Sequence, residues 1–355
     1  MRILHIGEYA KGGVATYLRG VIDCQLQNHD VHLMVSDNSE EFPNIPPEKL
    51  HRYQYRRSVG DLIRGALQIH KVIRKIRPDV IHVHSSFAGF MVRAMLLIKK
   101  KGSYKLIYCP HGWSFLMETG SVRKWIYSLI ERILSVKTDI IINISKFELD
   151  QALARKLPSS KNVLVYNGTK ECPVKMDRNG LEPGKEIRLL FVGRLDRQKG
   201  LDILLDIFRE YPMGHIKLFV VGDSVLKDQK IDFPKNVVHI GWVENDRIDE
   251  YYIRCDAVII PSRWEGFGLV AIEAMRNKRA VLASNRGALP ELVEHGVNGY
   301  IFDINNKSEV ADLLSNISKD TLIQMGDKGY SLFQKKFTLE RMNEEILRLY
   351  TNGVR

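Results

Sequence analysis

Long apolar runs are missing from this chain of 355 residues. Stretches such as Ala94–Ile98 and Ala257–Ile260 fall far short of the ~20 residues that a membrane-spanning helix needs. Cysteine is scarce. Cys24, Cys109, Cys172 and Cys255 stand apart, with neither metal-type spacing nor a disulfide framework, which points to reduced thiols in a cytosol. Several chemical signatures are absent too. There is no Gly-x4-Gly-Lys-[Ser/Thr] loop, no Gly-x-Gly-x-x-Gly fingerprint and no Asp-x-Asp. These absences argue against a Walker nucleotide site, an NAD or FAD site, and a metal-held diphosphate. The opening segment Met1–Glu8 meets a charge too early for a secretion signal and reads as a first strand.

What is present describes a soluble, two-domain protein. Hydrophobic residues make up 45% and charged residues 27%, enough apolar material for two cores at roughly 100–200 residues per domain. The net charge of +11 is uneven. Residues 1–175 carry 27 Lys and Arg against 15 Asp and Glu, and residues 176–355 carry 26 against 27. A basic first half implies an anionic partner: nucleic acid, phospholipid headgroups or a phosphorylated substrate.

Short apolar runs alternate with helical-period segments, the pattern of parallel sheets with crossover helices. The first half has strand candidates at Arg2–Gly7, Val31–Val35, Asp79–His84, Lys105–Pro110, Asp139–Ser145 and Asn162–Tyr166. Helical stretches lie between them, near Val14–Gln27, Val59–Ile76, Gly89–Lys100, Val122–Val136 and Phe147–Lys156. The pattern divides the chain into a domain over residues 1–168, a polar Gly- and Pro-containing linker over 169–186, a second domain over 187–337 and a docking helix within 338–355. Second-half strands are expected at Ile187–Val192, Ile216–Val221, Val237–Gly241, Ala257–Pro261, Ala280–Ala283 and Tyr300–Phe302. Leu339, Met342, Ile346 and Tyr350 share a face of the final helix, although the sequence does not say which domain receives it.

The most informative segment is Pro261-Ser262-Arg263-Trp264-Glu265-Gly266-Phe267-Gly268-Leu269-Val270-Ala271-Ile272-Glu273. A buried strand leads into a glycine-containing turn and then a helix. The amides of Phe267, Gly268 and Leu269 would lie at a helix start, a seat for phosphate. Glu265 and Glu273 would repel a bare phosphate, so they suit hydroxyls of a sugar or ribose. Phosphate donors flanked by hydroxyl acceptors describe a nucleotide-sugar. Arg194 and Lys199, in Gly193-Arg194-Leu195-Asp196-Arg197-Gln198-Lys199-Gly200, stand at the matching edge and would neutralise the diphosphate in place of a metal. In the first half, Gly12 and Gly13 follow strand one, and His111 follows another strand at the same edge. His82 and His84 share a strand face, but no third ligand lies nearby in sequence, so no metal site is expected.

Gly12-Gly13, His111-Gly112, Tyr166-Asn167-Gly168, Gly193-Arg194 through Lys199-Gly200 and Glu265-x7-Glu273 together resemble the family 4 retaining glycosyltransferases, over almost the whole chain. The resemblance implies the GT-B architecture: two Rossmann-like, doubly wound parallel-sheet domains facing across a donor cleft. It implies Arg194 and Lys199 on the diphosphate, Glu265 and the amides of Phe267, Gly268 and Leu269 at the donor sugar, and Glu273 on the ribose. It places Gly12 and Gly13 on the phosphate and acceptor side and His111 against the transferred sugar. A nucleoside-diphosphate sugar, with uridine as base, would be the donor. The acceptor would be a polyprenyl-linked or other saccharide, with no cofactor and no metal required. Asn277-Lys278-Arg279-Ala280 departs from the family's usual Gly-x-Pro and is expected to alter a turn without abolishing donor binding.

The basic first half then fits an anionic membrane surface. The cations involved are Arg56 and Arg57 after Tyr53, then Arg64, Lys71, Arg74, Lys75 and Arg77, then Lys99-Lys100-Lys101, and finally Arg123-Lys124 beside Trp125 and Ile126. The expected location is cytoplasmic, peripheral on the inner membrane face. A GT-B sugar-nucleotide epimerase would share the nucleotide cleft but leave the basic half unexplained. An inert regulatory partner would have no need of Arg194, Lys199, Glu265 and Glu273. A basic nucleic-acid binder is disfavoured because Glu265 and Glu273 would repel phosphates.

Overall fold

The fold comes from a computed structural model that describes residues 1–54, 58–98, 102–171, 186–223 and 231–351. Most of the expected linker (172–185), Cys172, the Tyr55–Arg57 cluster and Lys99–Lys101 lie outside the described residues.

The chain forms two compact units, one of Met1–Gly168 with Leu339–Arg355 and one of Thr169–Thr338. The first contains β1 (Arg2–Gly7), α1 (Gly13–Gln25), β2 (Asp30–Ser36), β3 (Leu50–Tyr53), α2 (Val59–Ile76), β4 (Val80–His84), α3 (Ser86–Ile98), β5 (Lys105–Cys109), α4 (Ser121–Ser135), β6 (Ile140–Asn143), α5 (Lys146–Ala154) and β7 (Asn162–Leu164). Its strands pair in parallel in the order β3-β2-β1-β4-β5-β6-β7. β4 is buried at every residue, as a strand covered on both faces must be. Helix starts follow local chemistry: Ser58 accepts from the Asp61 amide and Ser145 from the Glu148 amide, the latter a Ser-x-x-Glu capping sequence.

The second unit contains β8 (Ile187–Val192), α6 (Leu201–Glu210), β9 (Ile216–Val221), β10 (Val237–Gly241), α7 (Ile248–Arg254), β11 (Ala257–Ile260), α8 (Leu269–Arg276), β12 (Ala280–Ser284), α9 (Leu289–Leu292), β13 (Gly299–Phe302), α10 (Lys307–Asn316) and α11 (Lys319–Lys336). Its sheet is again parallel, in the order β10-β9-β8-β11-β12-β13.

One feature differs from the sequence expectation, and another answers a point that the sequence left open. A seventh strand, β3, edges the first sheet. It has only four residues after Pro46-Pro47 and shows no alternation, so its place comes from pairing with β2 and from Tyr53, whose hydroxyl donates to the Gly7 carbonyl at 3.0 Å. The final helix, α12 (Leu339–Thr351), docks on the first unit, with Leu339, Met342, Ile346 and Tyr350 all buried. Lys105 Nζ donates to the Leu349 carbonyl at 2.6 Å and Arg341 to the Tyr166 carbonyl at 2.6 Å, so cations meet both the end of α12 and the Tyr166-Asn167-Gly168 segment. Among the described residues, no helix is long and apolar enough to cross a membrane.

Candidate functional site

In a doubly wound sheet, ligands bind beyond the carboxyl ends of the strands where strand order reverses. In the second unit that point lies between β8 and β11, and the loops that follow them are residues 193–200 and 261–268. These loops carry the charged residues singled out in the sequence. Lys199 Nζ pairs with the Glu265 carboxylate, and Ser262 Oγ donates to the same oxygen at 3.2 Å. Glu265 is buried. Its backbone is held by the Ala288 amide, which donates to its carbonyl at 3.1 Å. Gly287 makes this approach feasible: its φ is 59°, and a Cβ there would stand 2.0 Å from that carbonyl. Arg194 is more than half exposed and reaches Asp196 at 3.0 Å and Gln198 at 3.1 Å. Gln198 in turn donates to the Trp264 carbonyl at 3.2 Å and accepts from the Arg263 amide at 2.8 Å, tying the two loops together.

Each cation thus has its own carboxylate, Arg194 with Asp196 and Lys199 with Glu265. The sequence reading assigned Lys199 and Glu265 to different parts of a ligand; the structure makes them partners. A diphosphate arriving here would draw both cations, and Glu265, released from Lys199, would be free to accept from hydroxyls.

α8 starts at Leu269 behind Gly268, whose φ is 102°, and no side chain caps it. Its first amides and the positive end of its dipole therefore face the loop. Phe267 contributes only backbone, because its ring is buried edge-on against Phe337 at 6.0 Å. Glu273 sits further along α8 and accepts from Tyr252 Oη at 2.8 Å. Burial, then the Glu273 carboxylate, raises the Tyr252 phenol well above its usual range, so it stays a donor. The departure after α8 is resolved by a left-handed Lys278 at φ 51°, while buried Asn277 donates to the Glu273 carbonyl at 2.9 Å and to Asp249 at 2.8 Å. The turn is made without glycine.

In the first unit, the reversal lies between β1 and β4. Gly12 has a φ of 55° and precedes α1, which begins at Gly13. The Gly12 amide donates to Glu40 at 2.9 Å, and Glu40 pairs with Arg19 at 2.9 Å. A carboxylate therefore occupies the amide where the resemblance places a phosphate or acceptor. His111 follows β5 in a left-handed conformation, φ 52°. Its ring turns inward: Nε2 lies 3.0 Å from His84 Nδ1, Nδ1 lies 3.7 Å from Cys109 Sγ, and Tyr17 packs edge-on at 4.5 Å. Burial pushes the His111 pKa down to about 3. His111 and Gly112 are both half-buried, so the turn keeps some surface exposed.

No third ligand lies near His82 and His84 in sequence, but the fold supplies one in space, which removes the ground on which a metal site was not expected. Parallel pairing sets His5 of β1 beside His82 of β4, and one ring nitrogen from each of His5, His82 and His84 lies within 4.8 Å of the others. Sequence distance hid this contact. Sequence reasoning also missed Asp196, Gln198, Ser262 and Glu40 as partners of site residues, although only Glu40 is distant in sequence. Of these, Ser262 had a legible signal, standing three positions before Glu265 in the same turn.

Comparison with known proteins matches both halves. Residues 11–170 match the model described as Glycosyltransferase Family 4, and residues 175–331 match Glycosyl transferases group 1. An uncharacterized 41.2 kDa protein in the cps region of Klebsiella pneumoniae is 36% identical over 326 residues, covering 89% of this chain and 90% of the relative. An O-antigen biosynthesis glycosyltransferase of Escherichia coli, WclY, is 28% identical over 209 residues, covering 55% of this chain and 57% of the relative. Among solved structures, HepE of Anabaena in complex with UDP and glucose aligns with a TM-score of 0.80 at 20% identity, over 99% of this chain and 100% of that one. At that identity the likeness is one of fold.

Proposed function

Since the chain belongs to glycosyltransferase family 4 and has the GT-B fold, we propose that it moves a glycosyl unit, with retention, from a UDP-sugar to a hydroxyl of a lipid-linked or saccharide acceptor in cell-surface polysaccharide assembly. The observation that carries this reading is the meeting of Arg194, Lys199, Glu265 and the uncapped start of α8 at the β8/β11 reversal. UDP as donor draws support from the HepE complex with UDP and glucose, and polysaccharide assembly from the relatives in the cps region and in O-antigen biosynthesis. Matches to glycosyltransferase families favour transfer over epimerisation.

In the proposed reaction the bond between the anomeric carbon and the diphosphate oxygen breaks as the acceptor oxygen bonds to that carbon. Attack comes from the face the diphosphate leaves, and the acceptor proton passes to a phosphate oxygen. Negative charge grows on the diphosphate, and Arg194, Lys199 and the α8 amides stabilise it without a metal. Glu265 accepts from sugar hydroxyls and Glu273 from the ribose. Gly12 and Gly13 line the phosphate and acceptor side once Glu40 yields, and the His111–Gly112 turn lies against the sugar.

Thermal shift in EDTA tests the donor reading. UDP should raise the melting temperature more than GDP, because a ligand at 100 times its Kd stabilises by about 2.7 kcal/mol. No shift with either, or turnover that EDTA abolishes, overturns it. Donor conversion without any acceptor would instead favour an epimerase.

The same reading includes an anionic bilayer at the first unit. Val122, Trp125, Ile126, Leu129, Ile133 and Val136 are exposed, and at about 100° per residue they form one stripe along α4. Arg123, Arg132 and Lys137 flank it. On α2, Ile73 and Ile76 are buried and Leu62 and Val72 pack against the core, but Ile63 and Leu67 are exposed. An amphipathic face rimmed by cations suits the plane of a headgroup layer, and each cation near it contributes ~1 kcal/mol. The protein should co-sediment with phosphatidylglycerol vesicles at low salt, and W125E/I126E should lower that partition about tenfold or more. Failure of the unaltered protein to sediment at low salt removes the membrane surface.

A further inference from the structure

The buried face shared by β1, β4 and β5 holds a run of polar side chains that the transfer chemistry does not use. Gln25 Nε2 donates to Asn343 Oδ1 of α12 at 3.3 Å and lies 3.5 Å from Tyr350 Oη, so Oε1 faces His5 Nε2 at 2.9 Å. His5 Nε2 must therefore carry the proton. His5 Nδ1 lies 3.0 Å from His84 Nε2, and His84 Nδ1 lies 3.0 Å from His111 Nε2. Burial keeps these rings neutral, lowering His5 to about 4 and His84 well below its usual value. A neutral imidazole has one donor and one acceptor nitrogen. The direction is then fixed along the whole chain: His111 Nε2–H donates to His84, His84 Nε2–H to His5, and His5 Nε2–H to Gln25. His111 Nδ1 keeps its lone pair toward the Cys109 thiol, which burial holds protonated. Tyr17 of α1 packs against His84, and His82 of β4 lies 2.7 Å from Tyr350 Oη beside Gln25; neither stands between His111 and Gln25.

The far end of this chain is the left-handed His111, a conformation that non-glycine residues rarely adopt and that persists only when its surroundings hold it. We propose that His84 is a positioning residue for the His111–Gly112 turn, and that Gln25, anchored on α12, sets the tautomer of His111 through His5 and His84. The polarity commits the lone pairs of His5 and His84 to hydrogen bonds, so these two imidazoles, with His111, act as a relay of orientation and leave His82 alone in the cluster with an unpartnered ring nitrogen, too few free donors for a metal ligand set. The part of this inference that concerns turnover rests on the proposed transferase reading; the tautomer does not.

The full-length protein labelled with 15N-histidine tests it, with ring signals assigned by single substitutions. In the unaltered protein His111 should be pyrrole-like at Nε2. Gln25→Met removes the terminal acceptor, so the chain should reverse and His111 should become pyrrole-like at Nδ1. His84→Gln, whose amide offers an acceptor toward His111 and a donor toward His5, should keep the original tautomer, whereas His84→Leu should leave a mixture. Turnover should follow. His84→Leu should lower kcat about tenfold or more with donor KM within about twofold, and His84→Gln should restore it. An unchanged His111 tautomer in Gln25→Met overturns the chain, as does stoichiometric Co²⁺ uptake with a ligand-field band. A shifted ring in His84→Leu with unchanged kcat overturns the positioning role. If the unaltered protein transfers no sugar, the transferase reading fails while the ring signals still report on the chain.

Discussion

Arg194→Ala should lower kcat/KM about 10²–10³-fold while leaving the protein folded, the loss expected when one preorganised group facing developing charge is removed. The structure makes this a clean variant. Arg194 is more than half exposed and its ion pair with Asp196 is of the surface kind, worth ~0–1 kcal/mol to folding. Lys199→Ala would be a poorer probe. It would strand the Glu265 carboxylate, which is only 10% exposed and would be left with the Ser262 hydroxyl, so activity and stability would fall together. Arg194→Lys should recover part of the lost rate. An ammonium supplies the charge but not the two-pronged grip on neighbouring phosphate oxygens. Initial rates on a variant with an unshifted melting temperature decide the matter. Near-normal turnover would take Arg194 out of the reaction.

The limits of the sequence reading follow from what is local. β1, α2, β8, β9 and β10 match their expected ranges because each carries its own signal, a short apolar run or an amphipathic period with a capping residue such as Ser58. β3 has no such signal. Its four residues become a strand only because β2 offers an unpaired edge. The same division separates the site residues. Glu265 and Arg194 stand in loops whose position after a strand is readable, whereas the pairing of Lys199 with Glu265 joins positions 66 residues apart. His5 and His82 are set side by side by β1–β4 register, and Gln25 reaches Asn343 across 318 positions. His111 shows the cost of this blindness most clearly. Its place at the strand end was legible, but the hydrogen bond between its ring and His84 was not, because that partner lies on another strand.

Glu131→Ala should destabilise the first unit by about 3–5 kcal/mol, the loss typical of breaking one side of a buried ion pair. Arg93 of α3 is completely buried, 2.8 Å from the Glu131 carboxylate of α4, with its guanidinium 3.6 Å from the centre of the Tyr108 ring. Tyr108 Oη also donates to Glu131 at 3.2 Å. Removing the carboxylate leaves a cation that water cannot reach. Burial disfavours the charged guanidinium and Glu131 is the main group that offsets it, so without the carboxylate only Tyr108 and the Gly89 carbonyl, to which Nε donates at 2.9 Å, would face the cation. Urea unfolding followed through Trp113 and Trp125 of the first unit reads the loss, and the second unit's transition should stay in place. Arg93→Met/Glu131→Leu should recover most of it, since Tyr108 retains Ser86 as a partner and no charge is left inside. Recovery would mean that the pair specifies geometry more than it adds stability. On α4, Glu131 lies on the side opposite the exposed stripe of Val122, Trp125, Leu129 and Ile133, so pinning it to Arg93 fixes which face of the helix is turned outward. The double variant should accordingly regain stability yet bind anionic vesicles more weakly than the unaltered protein. Full vesicle binding by that variant would show that apolar packing alone sets the rotation of α4.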